Sequence, residues 1–92
     1  MKRVHIYVYG NVQGVFFRDF ALESARKLNI KGWVRNLEDG SVEVTAEADK
    51  EVLEKFVNEL WAGPKASNVE DMRIEWKEPT REFKSFEKKE TI

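Results

Sequence analysis

The chain has no cysteine, which excludes disulfide bonds and any thiolate nucleophile. It has a single histidine, His5, too few for the multi-histidine sites that commonly hold zinc. No run approaches the ~20 apolar residues that a membrane-crossing helix requires. The N-terminus enters a strand-like alternation with no apolar leader. The expectation is a cytoplasmic protein without membrane contact. A basic surplus is missing too: 16 Lys and Arg stand against 17 Asp and Glu, a net charge of −1. General nucleic-acid binders carry such a surplus, so none is expected as a partner, and any anion site here must be local.

What is present suits one domain spanning 1–92. A domain of this size buries only ~60–65% of its unfolded surface. A hydrophobic content of 41%, with six Phe and three Trp, is enough for one core.

Lys2 to Tyr9 alternates, with Val4, Ile6 and Val8 on one face and Arg3, His5, Tyr7 and Tyr9 on the other. Period two with β-branched residues predicts a half-buried strand. From Phe17 the apolar spacing becomes helical through Phe20, Ala21, Ser24, Ala25 and Leu28, ending near Asn29. Gly32 to Leu37 reads as a second strand, and Glu38-Asp39-Gly40 as a hairpin turn. Ser41 to Ala48 is the third strand, with Val42, Val44, Ala46 and Ala48 inward and Ser41, Glu43, Thr45 and Glu47 forming a solvated face. Asp49 is placed to cap a second helix whose stripe is Leu53, Phe56, Val57, Leu60 and Trp61. Gly63-Pro64 ends that helix. Val69 to Lys77 is the fourth strand, and the tail around Phe83 and Phe86 has room for a short edge strand. The order βαββαβ predicts an α+β, ferredoxin-like α/β sandwich: an antiparallel sheet with two helices on one face.

The stretch Gly10-Asn-Val-Gln-Gly-Val-Phe-Phe-Arg18 joins the first strand to the first helix. Unpaired N–H groups at a helix start favour an anion. Gly10 and Gly14 let backbone approach a ligand closely. Taken alone, this spacing also fits an ordinary glycine-containing connection. Arg18 offers a guanidinium fork suited to two phosphate oxygens, although most helix arginines are simply solvated. Asn36 shares parity with Val34 and so points to the helix-covered side. There it could orient a water beside a bound phosphate, or merely bond its own turn. His5 has the opposite parity and faces away from the loop. The candidate site therefore holds an anion cradle, one Arg and one Asn, with no evident nucleophile, general base or metal ligands. Such a site suits a substrate whose leaving group needs no protonation. A mixed carboxylic–phosphoric anhydride qualifies, since its carboxylate is a stable anion near pH 7.

Gly10 to Arg18 resembles the phosphate-loop signature of the acylphosphatase family. Gly32-Trp-Val-Arg-Asn36 with Asp39-Gly40-Ser-Val42-Glu-Val44 is similar to its second signature. The resemblance implies hydrolysis of acyl phosphates to a carboxylate and inorganic phosphate, without metal or organic cofactor; separately, a monomer is expected. It assigns phosphate binding to Arg18, water orientation to Asn36 and a backbone phosphate loop to Val12, Gln13, Gly14, Val15, Phe16 and Phe17. Ala48 stands where the second signature usually ends in glycine, which leaves the end of the third strand open.

Two other readings share the fold order. An RNA-binding module of the RRM type would place stacking aromatics on the open face of the third strand, where this chain has Glu43 and Glu47. An acylphosphatase-like domain that binds carbamoyl phosphate for a partner enzyme normally belongs to a longer chain.

Overall fold

A computed structural model describes all residues, 1–92. The elements are β1 (Lys2–Asn11), α1 (Phe17–Lys27), β2 (Lys31–Asn36), β3 (Val42–Ala48), α2 (Lys50–Ala62), β4 (Asn68–Lys77) and β5 (Phe86–Lys88). The five strands lie in the order β4-β1-β3-β2-β5. Both helices cover one face, and the core between the layers includes Val4, Ile6, Val8, Val34, Val44, Phe17, Leu53, Phe56 and Leu60. Neither helix is long and apolar enough to cross a membrane.

The ferredoxin-like architecture is as expected, but the sheet is mixed rather than antiparallel. β5 pairs with β2 in parallel, Gly32 opposite Phe86 and Val34 opposite Lys88. The cause is the connection from β4, which crosses to the opposite edge of the sheet instead of turning back as a hairpin. β5 is nonetheless firmly seated, because Phe86 is buried and packs edge-on against Phe56 at 5.8 Å. Ala48 is an ordinary extended residue that closes β3 opposite Lys2, so no glycine is required there. α1 ends at Lys27, and two residues on Asn29 takes a left-handed φ of 57°. The Asn29 and Ile30 N–H groups fold back onto the carbonyls of Arg26 and Ala25, satisfying the helix end.

Three local expectations fail. Asp49 precedes α2 with extended backbone but makes no side-chain cap; its carboxylate lies 3.6 Å from the N-terminal ammonium instead. Trp61 is 42% exposed, at the margin of the apolar stripe rather than within it. Glu43 and Glu47, expected on a solvated face, are buried at 5% and 3% exposure. β3 is the central strand, so long side chains from both neighbours close over them. Arg35 Nε donates to Glu43 at 2.7 Å, and His5 Nε2 lies 2.6 Å from the same carboxylate. Glu47 accepts from the Thr80 N–H at 2.7 Å, the Thr80 hydroxyl at 3.1 Å and the Arg81 N–H at 3.0 Å. That carboxylate thus pins the segment crossing from β4 to β5.

Burial alone would push the Glu47 carboxyl up. The N–H groups of Thr80 and Arg81, the Thr80 hydroxyl and the Arg3 charge outweigh it and hold the carboxyl below its usual range. A depressed folded value means that ionised Glu47 stabilises the fold above the ordinary glutamate value of ~4.3. The contribution is lost as pH falls through the folded value. Glu47→Gln is therefore expected to lower stability at neutral pH by ~1–3 kcal/mol, the usual cost of a broken buried hydrogen-bond set. The gap between variant and parent should narrow below the glutamate range, as read by thermal denaturation at neutral and acid pH.

Candidate active site

β1 ends at Asn11 and α1 begins at Phe17. Val12 and Phe17 are both buried, so the loop between them is held at each end. Within it Gly14 and Phe16 have positive φ, 72° and 64°, while Gln13, Val15 and Phe17 do not. An alternating sign of φ is the backbone pattern of an anion-binding nest, in which successive N–H groups turn toward one side. From Val12 through Asp19 no backbone N–H donates to a backbone carbonyl. The first to do so is Phe20, which bonds the Phe16 carbonyl at 3.0 Å. The start of α1 adds its dipole to the same region.

The two glycines do different work. A Cβ on Gly14 would meet nothing within 4 Å, so its requirement is the left-handed backbone alone. A Cβ on Gly10 would stand 2.2 Å from the Asn68 carbonyl oxygen, where the β1–β4 register shifts. Gly10 thus serves the close approach of β4, a role that the sequence alone does not show. Phe16 adopts the left-handed region as an L-residue, at a cost of ~1–2 kcal/mol. Its ring is 76% exposed, so burial of the side chain does not offset this. The flanking anchors hold the strain.

One of those anchors was not foreseen. Gln13 Nε2 donates to the Leu37 carbonyl at 2.7 Å and to the Ser41 carbonyl at 2.8 Å. The side chain ties the loop to the β2–β3 hairpin, immediately after Asn36. A polar residue in the loop was visible in the sequence. Which carbonyls it reaches depends on a hairpin more than 20 residues away.

Asn36 ends β2 on the helix-covered face, opposite Val42. Its Oδ1 is buried and has no protein partner. A buried acceptor left so costs ~1–3 kcal/mol unless a ligand or water occupies it. Arg18 is half-buried, and its Nη1 donates to the Lys89 carbonyl at 3.0 Å. The Lys89 N–H in turn donates to Val34, two residues before Asn36. Arg18 and Asn36 are therefore mounted on one strip of backbone formed by β2 and the segment after β5. No carboxylate pairs with Arg18. Its neighbour Asp19 is bound instead by Lys88 Nζ at 2.6 Å, and that hydrogen bond and charge draw the Asp19 carboxyl below its usual range. His5 lies on the opposite face, stacked on Tyr7 at 5.0 Å.

None of the surface clefts is lined by residues 12–17. The largest, about 560 Å³, lies along α1 between Asp19 and Lys27. The nest is a shallow rim of backbone, suited to a small anion and not to enclosing a large organic group. No group of three His, Cys, Asp or Glu side chains is placed to hold a metal ion.

The acylphosphatase family model matches residues 4–88. The chain belongs to the acylphosphatase family. It is similar to the acylphosphatase of Pelotomaculum thermopropionicum, 44% identical over 84 residues that make up 91% of each chain. The crystal structure of acylphosphatase from Bacillus subtilis superposes with a TM-score of 0.92 at 36% identity, covering 95% of this chain and 97% of that one. A crystal structure of full-length HypF in the phosphate- and nucleotide-bound form matches with a TM-score of 0.88 at 29% identity. That match covers 98% of this chain but only 12% of the larger protein. The acylphosphatase fold therefore occurs both as a small protein and as one part of a long one.

If Gln13 holds the nest in shape, Gln13→Ala should weaken inorganic phosphate binding roughly tenfold, ~1.4 kcal/mol. Titration calorimetry with phosphate measures this. Unchanged affinity would show that Val12 and Phe17 suffice as anchors.

Proposed function

We propose that the chain hydrolyses acyl phosphates. A water attacks phosphorus, the bond from phosphorus to the acyl oxygen breaks, and a carboxylate and inorganic phosphate leave. The observation that carries this reading is the run of acceptor-free N–H groups from Val12 through Phe17, beside an arginine that forms no salt bridge with a carboxylate. These donors suit the oxygens of a phosphoryl group, and the Arg18 guanidinium balances charge that shifts among them at the transition state. Such groups act most strongly when already fixed, as the Gln13 and Lys89 contacts fix these.

Asn36 is assigned to the attacking water. Its free Oδ1 can accept one water O–H, which turns an oxygen lone pair toward phosphorus. Fixing a reactant in this way removes orientational entropy from the barrier. The site offers no side-chain base, and His5 is across the sheet on Glu43. The water proton passes to a phosphoryl oxygen of the substrate. The departing carboxylate needs no acid, because it is stable as an anion at neutral pH. The same proposal takes the chain as one domain acting in the cytoplasm on a small acyl phosphate, without cofactor, nucleic acid or membrane. One chain supplies every group, so a monomer suffices.

The likeness to part of HypF favours a second reading, in which the cradle holds carbamoyl phosphate for a larger protein. Turnover decides between them. Hydrolysis of a generic acyl phosphate should proceed with a chelator present; no hydrolysis, or its loss on chelation, would overturn the first reading. Arg18→Gln should lower turnover at least ~10²–10³-fold, the usual effect of removing one preorganised donor. Asn36→Ala should lower kcat by ~10²-fold, as expected for lost positioning, while inorganic phosphate still inhibits. Full activity in Asn36→Ala would remove its assigned role. His5→Ala should leave the rate unchanged.

A further inference from the structure

β4 is an end strand of the sheet. Its inner edge pairs with β1 from Arg3–Lys77 to Asn11–Asn68, and its outer edge pairs with nothing. A long open edge is a template for another strand, and proteins usually blunt it. Here the sequence along it is self-complementary. Asp71 to Lys77 reads Asp-Met-Arg-Ile-Glu-Trp-Lys. We propose that β4 is a self-recognition strand, on which a second copy of the chain pairs antiparallel about a two-fold axis through Ile74.

The pairing follows from the side-chain faces. Met72, Ile74 and Trp76 lie opposite Val8, Ile6 and Val4 of β1, on the helix side. Asp71, Arg73, Glu75 and Lys77 lie on the other side, opposite Tyr9, Tyr7, His5 and Arg3. With the axis at Ile74, Asp71 of one copy meets Lys77 of the other, and Arg73 meets Glu75. Symmetry repeats both, so every charge between 71 and 77 faces its opposite. On the helix side Ile74 meets itself and Met72 meets Trp76, so every contact is apolar. Directly opposed residues in antiparallel strands point to the same face and interact most closely.

Neighbouring registers lack this match. An axis through Arg73 sets Arg73 on itself and Asp71 on Glu75. An axis through Glu75 sets Glu75 on itself and Arg73 on Lys77. An axis through Met72 sets Glu70 on Ile74 and Val69 on Glu75. A slip by one residue on one strand alone places the charged face against the apolar one.

In the isolated chain these groups have local partners that the pairing would replace: Asp71 Oδ1 accepts from the Met72 N–H at 2.8 Å, and Lys50 Nζ lies 5.9 Å from the centre of the Trp76 ring. Arg73 and Lys77 are 67% and 50% exposed, and both lean on Glu75 within the same strand, at 2.8 and 3.7 Å. Trp76 is 43% exposed and borders a groove of about 450 Å³ with Ile74, Val57, Glu54 and Asn58. The two-fold axis runs perpendicular to the sheet, so the helices of both copies stay on one side of a continuous ten-stranded sheet, twice the five strands of one chain. Trp76 of each copy then reaches the apolar face of the other. Of the candidate site, Arg18 and Asn36 lie toward the opposite edge, on β2 and the segment after β5, and the Val12–Phe17 loop follows Asn11 at the end of β1, beyond the 71–77 pairing.

Sedimentation equilibrium at low salt, from low micromolar to millimolar protein, tests this. The mass should rise from 10.8 kDa toward twice that value and fall back when salt is added. Arg73→Glu alone and Glu75→Arg alone each place like charges across the axis and should abolish the dimer. The double exchange Arg73→Glu with Glu75→Arg restores opposite pairs and should restore it. Circular dichroism of each variant establishes that the exposed substitutions leave the fold intact. A monomer at every concentration, a dimer that survives either single reversal, or a double exchange that fails to rescue would each overturn the proposal.

Discussion

The structure depends on a row of backbone donors held away from any backbone acceptor. Folded chains normally pair their N–H groups. Here the stretch from Val12 to Asp19 does not do so with its own carbonyls. Such a segment would ordinarily collapse into a turn that satisfies itself. It is prevented from doing so by Val12 and Phe17, buried at its ends, and by the Gln13 amide clamped to two hairpin carbonyls. The left-handed φ of Phe16 is the strain that remains. The β2–β3 hairpin therefore shapes the loop as much as the loop's own residues do, and it also presents Asn36.

The charge distribution serves the same end. The chain is almost neutral, so a local positive field requires that nearby carboxylates be engaged elsewhere. Asp19 follows Arg18 on α1, where successive side chains point apart, and its carboxylate is held by Lys88. Glu43 is held by His5 and Arg35 on the far face of the sheet, and Glu47 by the β4–β5 crossing. Burial pushes the Glu43 carboxyl up, yet the Arg35 and His5 contacts bring it below its usual range. It stays an anion beneath the Arg35 and His5 side chains, on the sheet face away from Arg18.

Much of this was legible in the sequence. Period-two alternation found four strands, helical spacing found both helices, and parity alone put Asn36 on the loop side and His5 on the other. What escaped has a common cause. Alternation tells which face a residue takes, not what closes over that face. Glu43 and Glu47 were read as solvated because nothing local shows that β3 is central and that Arg3, Arg35 and the 80–81 segment cover it. The parallel pairing of β5 and the reach of Gln13 likewise depend on contacts between residues far apart in sequence. Gly10 was legible as a special residue but not in its purpose, since Asn68 lies 58 residues on. The exposed-carboxylate argument against RNA on the open face loses its footing with that burial.

The sparseness of the site also bears on how the fold carries it. A mechanism that needed a tuned acid or base would need a buried, desolvated pocket, because pKa shifts arise from burial and close charges. The Val12–Phe17 nest has no such enclosure. Under the proposed function it would work instead by direction: where N–H groups point, where one guanidinium is tethered, and where one amide oxygen is left free. Direction can be fixed by backbone geometry at the surface, and a sheet end with two strands and a helix start converging supplies it. A chain of 92 residues with a single small core can hold such a site. No cleft is lined by residues 12–17, which agrees with the proposed function, in which the phosphoryl end alone would meet the loop and Arg18.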